Sequence, residues 1–94
     1  MNFESIKKTF DLAVRNHKSN DFKKAEKLYH KILDTDSNHF ESIFLLGSLY
    51  AQNDKLNLAK KLLEKAIKIK PDYADGYYNL GIVYMQLDER KDAI

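Results

Sequence analysis

The sequence of 94 residues contains no cysteine, no tryptophan, one proline and only three glycines. Without cysteine it can form no disulfide, no thiolate nucleophile and no cysteine metal site. Its formal net charge of +2 is too small to predict a nucleic-acid or membrane partner. It has no apolar signal core at its start and no apolar run of ~18 residues. We therefore expect one small cytoplasmic domain.

The scarcity of glycine also limits the loops that could hold a phosphate or a nucleophile. Gly76 and Gly81 have the spacing of a phosphate loop, but the lysine and the serine or threonine that should follow are missing. Gly47 precedes a serine but lacks the second glycine of a nucleophile elbow. These glycines therefore predict neither nucleotide binding nor hydrolysis.

The three histidines do not form a recognisable metal motif. His17, His30 and His39 are far apart in sequence, and none belongs to a His-Glu-x-x-His pattern. His30 and Asp34 could share one helix face, but two ligands are too few for a metal site. We predict no catalysis, no metal and no cofactor, so the chain is not expected to be an enzyme.

What the sequence does contain is an internal repeat of 34 residues. Gly47 and Gly81 are separated by this interval, and so are Tyr50 and Tyr84. Agreement between several positions at one fixed interval is typical of proteins built from stacked repeats. The other matches are Leu46 with Leu80, Gln52 with Gln86, and Ala25 with Ala59 and Ala93.

Apolar residues recur within each repeat at a helical spacing, not at the alternating spacing of a strand. Polar turns separate the stripes, and Pro71 predicts the end of one helix because proline lacks the amide donor. A polar pair at Asp88 and Glu89 predicts a further turn followed by the start of a sixth helix. The five preceding helices are predicted near residues 3–18, 22–33, 40–50, 56–67 and 73–85.

Two helices in every 34 residues resemble the tetratricopeptide repeat family over nearly the whole chain. The resemblance implies an all-α fold of antiparallel helix-turn-helix repeats, stacked in a right-handed superhelix (an α-solenoid). The single domain 1–94 would contain repeats at about 6–39, 40–73 and 74–94, the last incomplete. The first repeat is degenerate, with Asn16 where the others have tyrosine. The matching residues are Leu46, Gly47, Tyr50, Ala59, Leu63, Ala66, Pro71, Tyr77, Leu80, Gly81, Tyr84 and Ala93.

Small residues in this pattern predict where two helices approach each other closely. A bulky side chain at Gly47 or Gly81 is expected to clash, because overpacking typically costs about 1–3 kcal/mol. The residues expected to support repeat packing are Gly47, Tyr50, Ala59, Pro71, Gly81 and Tyr84.

The resemblance further implies an apolar concave groove, lined by the first helix of each repeat, that binds a peptide or helix of unknown identity. Phe10, Phe44 and Tyr78 recur at the 34-residue interval. Aromatic residues at this spacing are equally consistent with packing between repeats, so both interpretations remain open. The predicted groove residues are Phe10, Val14, Lys18, Phe44, Ser48, Gln52, Tyr78, Ile82 and Met85.

Two subgroups of the family serve as comparisons for this groove. Chaperone-binding members grip a carboxylate with lysine, arginine and asparagine, a set that the corresponding positions here lack. Asn79 resembles the groove asparagine of the repeats that precede O-linked N-acetylglucosamine transferases, but Asp11 and Leu45 occupy the equivalent places. An alternative function is therefore the N-terminal repeat region of a larger enzyme, such as a glycosyltransferase of that kind.

The last predicted helix pair is incomplete, which leaves Tyr77, Leu80, Tyr84 and Met85 without the expected cover. We expect self-association through this open end, and a self-assembling structural repeat is a further alternative function. The lysines of the fourth helix form a solvated outer face and do not predict nucleic-acid binding. Those lysines are Lys60, Lys61, Lys65 and Lys68.

Overall fold

A computed structural model describes residues 1–92 and shows five helices joined by short turns. All the regular structure in this range is helical, which confirms the all-α fold class. Each helix packs against the next one along the chain, giving an α-helical repeat solenoid. The helices are α1 (Phe3–Lys18), α2 (Phe22–Thr35), α3 (Phe40–Gln52), α4 (Leu56–Ile69) and α5 (Ala74–Asp92).

The two hairpin turns have the same geometry one repeat apart. Asn20, between α1 and α2, has a φ of 63°, and Asp54, between α3 and α4, has a φ of 66°. Asparagine and aspartate tolerate this left-handed conformation better than other residues with a side chain. Asp21 then begins α2 by accepting a hydrogen bond from the Lys24 N–H through its side chain, at 3.3 Å. The polar turns predicted from the sequence therefore have a local cause.

The third predicted turn is wrong, because α5 runs without a break through Asp88 to Asp92. Asp88 lies one repeat after Asp54, but Leu87 precedes it where the other turns have asparagine or serine. Leucine is a strong helix former, and this side chain packs against the hydrophobic core. The predicted sixth helix therefore does not start at residue 89, and its Ala93 lies outside the described residues.

One hydrophobic core runs from the first hairpin to α5. Its buried residues come from all five helices, from Ala13 of α1 to Val83 of α5. Pro71 follows directly after Lys70, the residue that caps α4, in agreement with its predicted role as a helix terminator. No helix within residues 1–92 combines the length and the apolar character needed to cross a membrane.

Candidate functional site

Helices α3 and α4 are tightly packed where Gly47 of α3 meets α4. A Cβ atom added to Gly47 would lie 3.0 Å from Leu63 Cγ and 3.2 Å from Leu62 Cβ. Gly47 is buried, and so is Ala59, the small residue of α4. The predicted tight crossing at this glycine is therefore present.

The equivalent crossing at Gly81 is not present within residues 1–92. A Cβ atom added there would have no other atom within 4 Å, once the two neighbours of Gly81 in sequence and the nearby backbone of its own helix are left out. Gly47 faces the second helix of its own hairpin, whereas no such helix packs on Gly81 among residues 1–92. The clash expected for a larger residue therefore does not arise at this position.

The repeated tyrosines link each repeat to the one before it. The Tyr50 hydroxyl accepts a hydrogen bond from His30 Nε2 at 2.9 Å and donates one to Glu26 at 3.2 Å. Tyr84 makes the equivalent connection one repeat later, donating to Glu64 at 2.8 Å. Both tyrosine hydroxyls thus connect a repeat to the one before it.

Burial raises the pKa of Tyr50 to about 12, with a further contribution from the negative charge of Glu26. Burial alone raises the pKa of Tyr29 to about 12. The hydrogen bond to Glu64 raises the pKa of Tyr84 as well. These hydroxyls are therefore neutral structural donors at ordinary pH, not nucleophiles or bases.

A hydrogen-bonded chain connects α1, α2 and α3 at the ends of α1 and α3. His17 Nε2 lies 2.6 Å from Gln52 Oε1, and His17 Nδ1 lies 3.1 Å from the Tyr29 hydroxyl. Because a neutral imidazole has one donor, Nε2–H donates to Gln52 and Nδ1 accepts from Tyr29. The sequence offers no signal for this link, since the three residues share no repeat position.

Two clefts lie next to each other on the surface formed by α1, α3 and α5, and Gln52 contributes to both. The first, between α3 and α5, has a volume of about 270 Å³, and the second, between α1 and α3, about 290 Å³. The first is lined by Ser48, Ala51, Gln52, Asn79, Ile82, Val83 and Gln86. The second is lined by Val14, His17, Lys18, Asn20, Tyr29, Leu45 and Gln52.

The clefts bring together only part of the predicted groove set. Val14, Lys18, Ser48, Gln52 and Ile82 line one cleft or the other. We call the surface formed by the two clefts the concave groove.

Asn79 forms a hydrogen bond to Ser48, on the other helix that lines the first cleft. Its Nδ2 donates to Ser48 Oγ at 3.2 Å, and that hydroxyl donates to the Phe44 carbonyl at 3.0 Å. The side chain thus connects α5 to α3 within the groove, although it was absent from the predicted groove set. The sequence signal for this role is that Asn79 holds the repeat position that Asp11 and Leu45 hold in the two earlier repeats.

Phe10 and Phe44, two of the three repeated aromatic residues, pack against the loops that join successive repeats and line neither of the two clefts. The Phe10 ring lies 5.6 Å from the His39 ring, and the Phe44 ring lies 5.0 Å from Tyr73 in an edge-to-face arrangement. His39 and Tyr73 are themselves one repeat apart. The structure thus favours the packing interpretation for Phe10 and Phe44.

The third aromatic residue and its neighbour on α5 are exposed. Tyr78 is 70% exposed and Met85 is 64% exposed, and neither residue lines either of the two clefts. These two residues belong to an outward-facing part of α5, whereas Leu80, predicted to lie on the same open face, is buried in the core.

Within the described part of the chain, histidine and acidic residues do not gather as a metal site would require. Within residues 1–92, no three histidine, aspartate or glutamate side chains lie close enough to hold a metal ion. His30, considered with Asp34 as a ligand pair, is engaged instead by Tyr50. Lys65 donates to the Ser37 carbonyl at 2.8 Å, so this lysine of the outer face has a structural partner.

The sequence profile of the family described as "TPR repeat" matches residues 47–88. Over 90 residues, 96% of the chain, the sequence is 30% identical to the UDP-N-acetylglucosamine–peptide N-acetylglucosaminyltransferase of Caenorhabditis elegans. The chain spans only 8% of the length of that curated relative.

Two solved structures have the same arrangement of helices. The MamA protein superposes with a TM-score of 0.85 at 28% identity, covering 94% of this chain and 48% of MamA. YrrB, described as a TPR protein with an unusual peptide-binding site, superposes with a TM-score of 0.80 at 27% identity. That match covers 90% of this chain and 44% of YrrB. The family profile and these structures confirm the resemblance found in the sequence.

Proposed function

The chain belongs to the tetratricopeptide repeat family, and from that premise we propose that it is a protein-interaction module without catalytic activity. Its partner is a peptide or a helix that binds in the concave groove. The observation that carries this proposal is the pair of adjoining clefts sharing Gln52. We further propose that it acts in the cytoplasm.

The lining of the groove favours an uncharged stretch of polypeptide. The first cleft combines the amides of Gln52, Asn79 and Gln86 with the apolar side chains of Ile82 and Val83. Side-chain amides can pair with a peptide backbone, while an apolar recess accepts a side chain of the ligand. Lys18 is the one cationic lining residue in the two clefts as the structure describes them, so a single carboxylate could be held only at that end.

Two exposed apolar residues on different surfaces provide a matched test. Ile82 in the groove is 38% exposed, and Leu58 on α4, outside the groove, is 46% exposed. Peptides selected on the intact chain from a random displayed library would be titrated against Ile82→Lys and Leu58→Lys. We expect at least a tenfold loss of affinity for Ile82→Lys and little change for Leu58→Lys. Equal affinities for both variants would contradict binding in the groove.

A second candidate is a repeat region that serves a larger enzyme. It is favoured by the 30% identity to the N-acetylglucosaminyltransferase, which covers nearly all of this chain. The repeats would then present a protein substrate and leave the chemistry to another domain. The reading frame after residue 94 tests this candidate, since a frame that encodes only further repeats would exclude it.

A third candidate is a self-assembling structural repeat that associates through an exposed apolar surface of α5. This surface, the α5 face, consists of Tyr77, Tyr78, Gly81, Tyr84 and Met85. Tyr77 and Tyr84 are 49% and 43% exposed, so the face leaves much aromatic area in water. Light scattering of the 94-residue chain should give at least twice the 11.0 kDa mass, and a monomer at millimolar concentration would contradict self-association.

A further inference from the structure

We propose that the outer sides of α2 and α4 form a basic face that binds the surface of an anionic lipid membrane. This inference goes beyond the proposed peptide binding, because no lysine of this face lines the concave groove. Helices α2 and α4 complete the two hairpins that the structure describes in full, so the face does not involve the end of α5. The basic face consists of Lys23, Lys24, Lys27, Lys31, Lys55, Lys61, Lys65 and Lys68.

The first argument is that lysines recur at the repeat interval on these two helices. Lys27 and Lys31 of α2 are followed one repeat later by Lys61 and Lys65 of α4. Positions four residues apart share one side of a helix, so each pair forms a short row. Lys27, Lys31 and Lys61 are exposed, so these rows are turned away from the core. Equivalent helices therefore each carry a row of ammonium groups on their outer side.

The second argument is that the two rows lie next to each other in space. Lys23 and Lys27 of α2 line one cleft of about 330 Å³ together with Lys55, the residue that precedes α4. Lys65 of α4 donates to the carbonyl of Ser37, which follows α2, at 2.8 Å. The lysines of both helices therefore belong to one continuous surface.

The positive charge of the basic face is centred on α4. Residues 55–70 contain six lysines and a single acidic residue, Glu64. Glu64 lies among three of these lysines and accepts a hydrogen bond from the Tyr84 hydroxyl at 2.8 Å. Asp54, just before this segment, is paired with Arg90. The segment as a whole is therefore strongly positive.

Helix α2 extends this charge through its exposed lysines. Residues 21–36 contain four lysines and four acidic residues. Asp21 and Asp36 lie at the two ends of the helix, and Asp34 is exposed near its last turn. Glu26 is half-buried and accepts a hydrogen bond from a tyrosine of α3. The exposed charged side chains between positions 23 and 31 are therefore all lysines.

The net charge of +2 for the whole chain conceals this face. Residues 71–92 contain five acidic residues and two basic ones, so they offset much of the charge of α4. Attraction to a charged surface depends on the charge within about one Debye length, ~8–10 Å, more than on the total. A small net charge is therefore compatible with a strongly basic surface on one side of the molecule.

An anionic membrane fits this face better than an acidic peptide or a nucleic acid. The lysines are spread over two helices, whereas a peptide is held best by groups that converge in one recess. Residues 21–36 and 55–70 contain no arginine, the side chain that reads and stacks on bases best. Leu58, 46% exposed and one turn before Lys61, adds an apolar side chain that can reach the head-group boundary. Clusters of about four to eight basic residues on a helix are typical of contacts with anionic lipids.

Sedimentation with lipid vesicles tests this proposal on the intact chain. Vesicles of phosphatidylcholine and phosphatidylserine in equal parts should bind the chain, whereas vesicles of phosphatidylcholine alone should not. The double variant Lys27→Glu with Lys61→Glu should weaken this binding about 25-fold or more, since each surface lysine is worth about fivefold. The control, Lys7→Glu with Lys8→Glu, has the same net charge and changes two exposed residues of α1, so it should bind much as the wild type does. The matching glutamine pairs repeat the comparison with a smaller change of charge.

The other outcomes would overturn the proposal. Failure of the wild-type chain to bind the anionic vesicles would refute it directly. Equal losses for the two double variants would show an effect of net charge and remove the assignment to α2 and α4. Binding that is unchanged in ~1 M salt would contradict an electrostatic contact, because the Debye length then falls to about 3 Å. Tighter binding to polyglutamate or to duplex DNA at the same salt concentration would identify a different class of partner.

Discussion

At the scale of single residues, Gly47 and Gly81 hold equivalent repeat positions with different surroundings. Gly47 is held against Leu62 and Leu63 of α4, so the absence of a side chain is required by packing. Gly81 has open space beside it, so a larger residue is sterically tolerated within the described part of one chain.

The same substitution at both glycines should change the stability in opposite directions. Gly47→Leu is expected to lower the free energy of unfolding by about 1–3 kcal/mol, because the buried crossing becomes overpacked. Gly81→Leu should raise it by about 0.5–1 kcal/mol, because leucine favours a helix more than glycine does. Urea unfolding of dilute protein measures both, and equal changes would refute the difference in packing.

The buried tyrosine hydroxyls predict a loss of stability at alkaline pH. Between pH 10 and pH 12, Tyr29 and Tyr50 ionise in the unfolded chain but keep their protons in the folded chain. Raising the pH through this window therefore favours unfolding, by up to about 2–3 kcal/mol for each group at the two-unit shift. Stability below pH 10 is unaffected by this ionisation.

Phenylalanine variants isolate this effect from the ionisation of the many lysines. Between pH 9 and pH 12, the free energy of unfolding should decline less steeply for Tyr29→Phe and Tyr50→Phe than for the wild-type chain. Tyr77→Phe, at an exposed position, is the control, and its free energy of unfolding should decline as steeply as that of the wild-type chain. Parallel curves for all three variants would be inconsistent with buried neutral tyrosines.

At the scale of helices, each repeat is covered by the loop and the first helix of the next one. Phe10 of α1 packs on His39, and Phe44 of α3 packs on Tyr73, at equivalent positions before successive helices. Tyr78 of α5 continues the series but is exposed. Nearest-neighbour packing of this kind makes the stability of a solenoid depend on its interfaces.

This aromatic series supplies a matched set of alanine variants. Phe10→Ala and Phe44→Ala should each lower the free energy of unfolding by about 2–4 kcal/mol, because each removes a ring that packs against the loop before the next repeat. Tyr78→Ala should change it by less than about 0.5 kcal/mol in the monomer, since its ring is exposed. Thermal unfolding at low concentration measures all three, and a large loss for Tyr78→Ala would contradict its exposed position.

At the scale of the whole molecule, the chain is elongated, with extents of 45 × 29 × 19 Å. Helix α3 contacts α2, α4 and α5, whereas the last described residue of α5 that packs against the core is Leu87. Residues 88–91 are all exposed. Stability should therefore fall from the centre of the solenoid towards the end of α5.

Hydrogen exchange can measure this gradient directly. We expect the slowest amides in α3 and the facing part of α4, and exchange at least a hundredfold faster for residues 88–91. The reason is that local opening of the last turn exposes no buried side chain, whereas opening α3 disrupts the core. Uniform protection along α5 would contradict this gradient and would implicate the ion pair between Arg90 and Asp54 at the end of the helix.

The sequence by itself determined the 34-residue period, the helical class, the two Asn/Asp turns and the tight crossing at Gly47. These features depend on short-range spacing and on backbone preference, so the residues carry them locally. Only the tertiary structure decided that Phe44 is packed while Tyr78 is exposed, that Gly81 is uncrowded, and that α5 continues past Asp88. The physical reason is that burial depends on what packs against a position from other helices, and residues in the same repeat register do not share those neighbours.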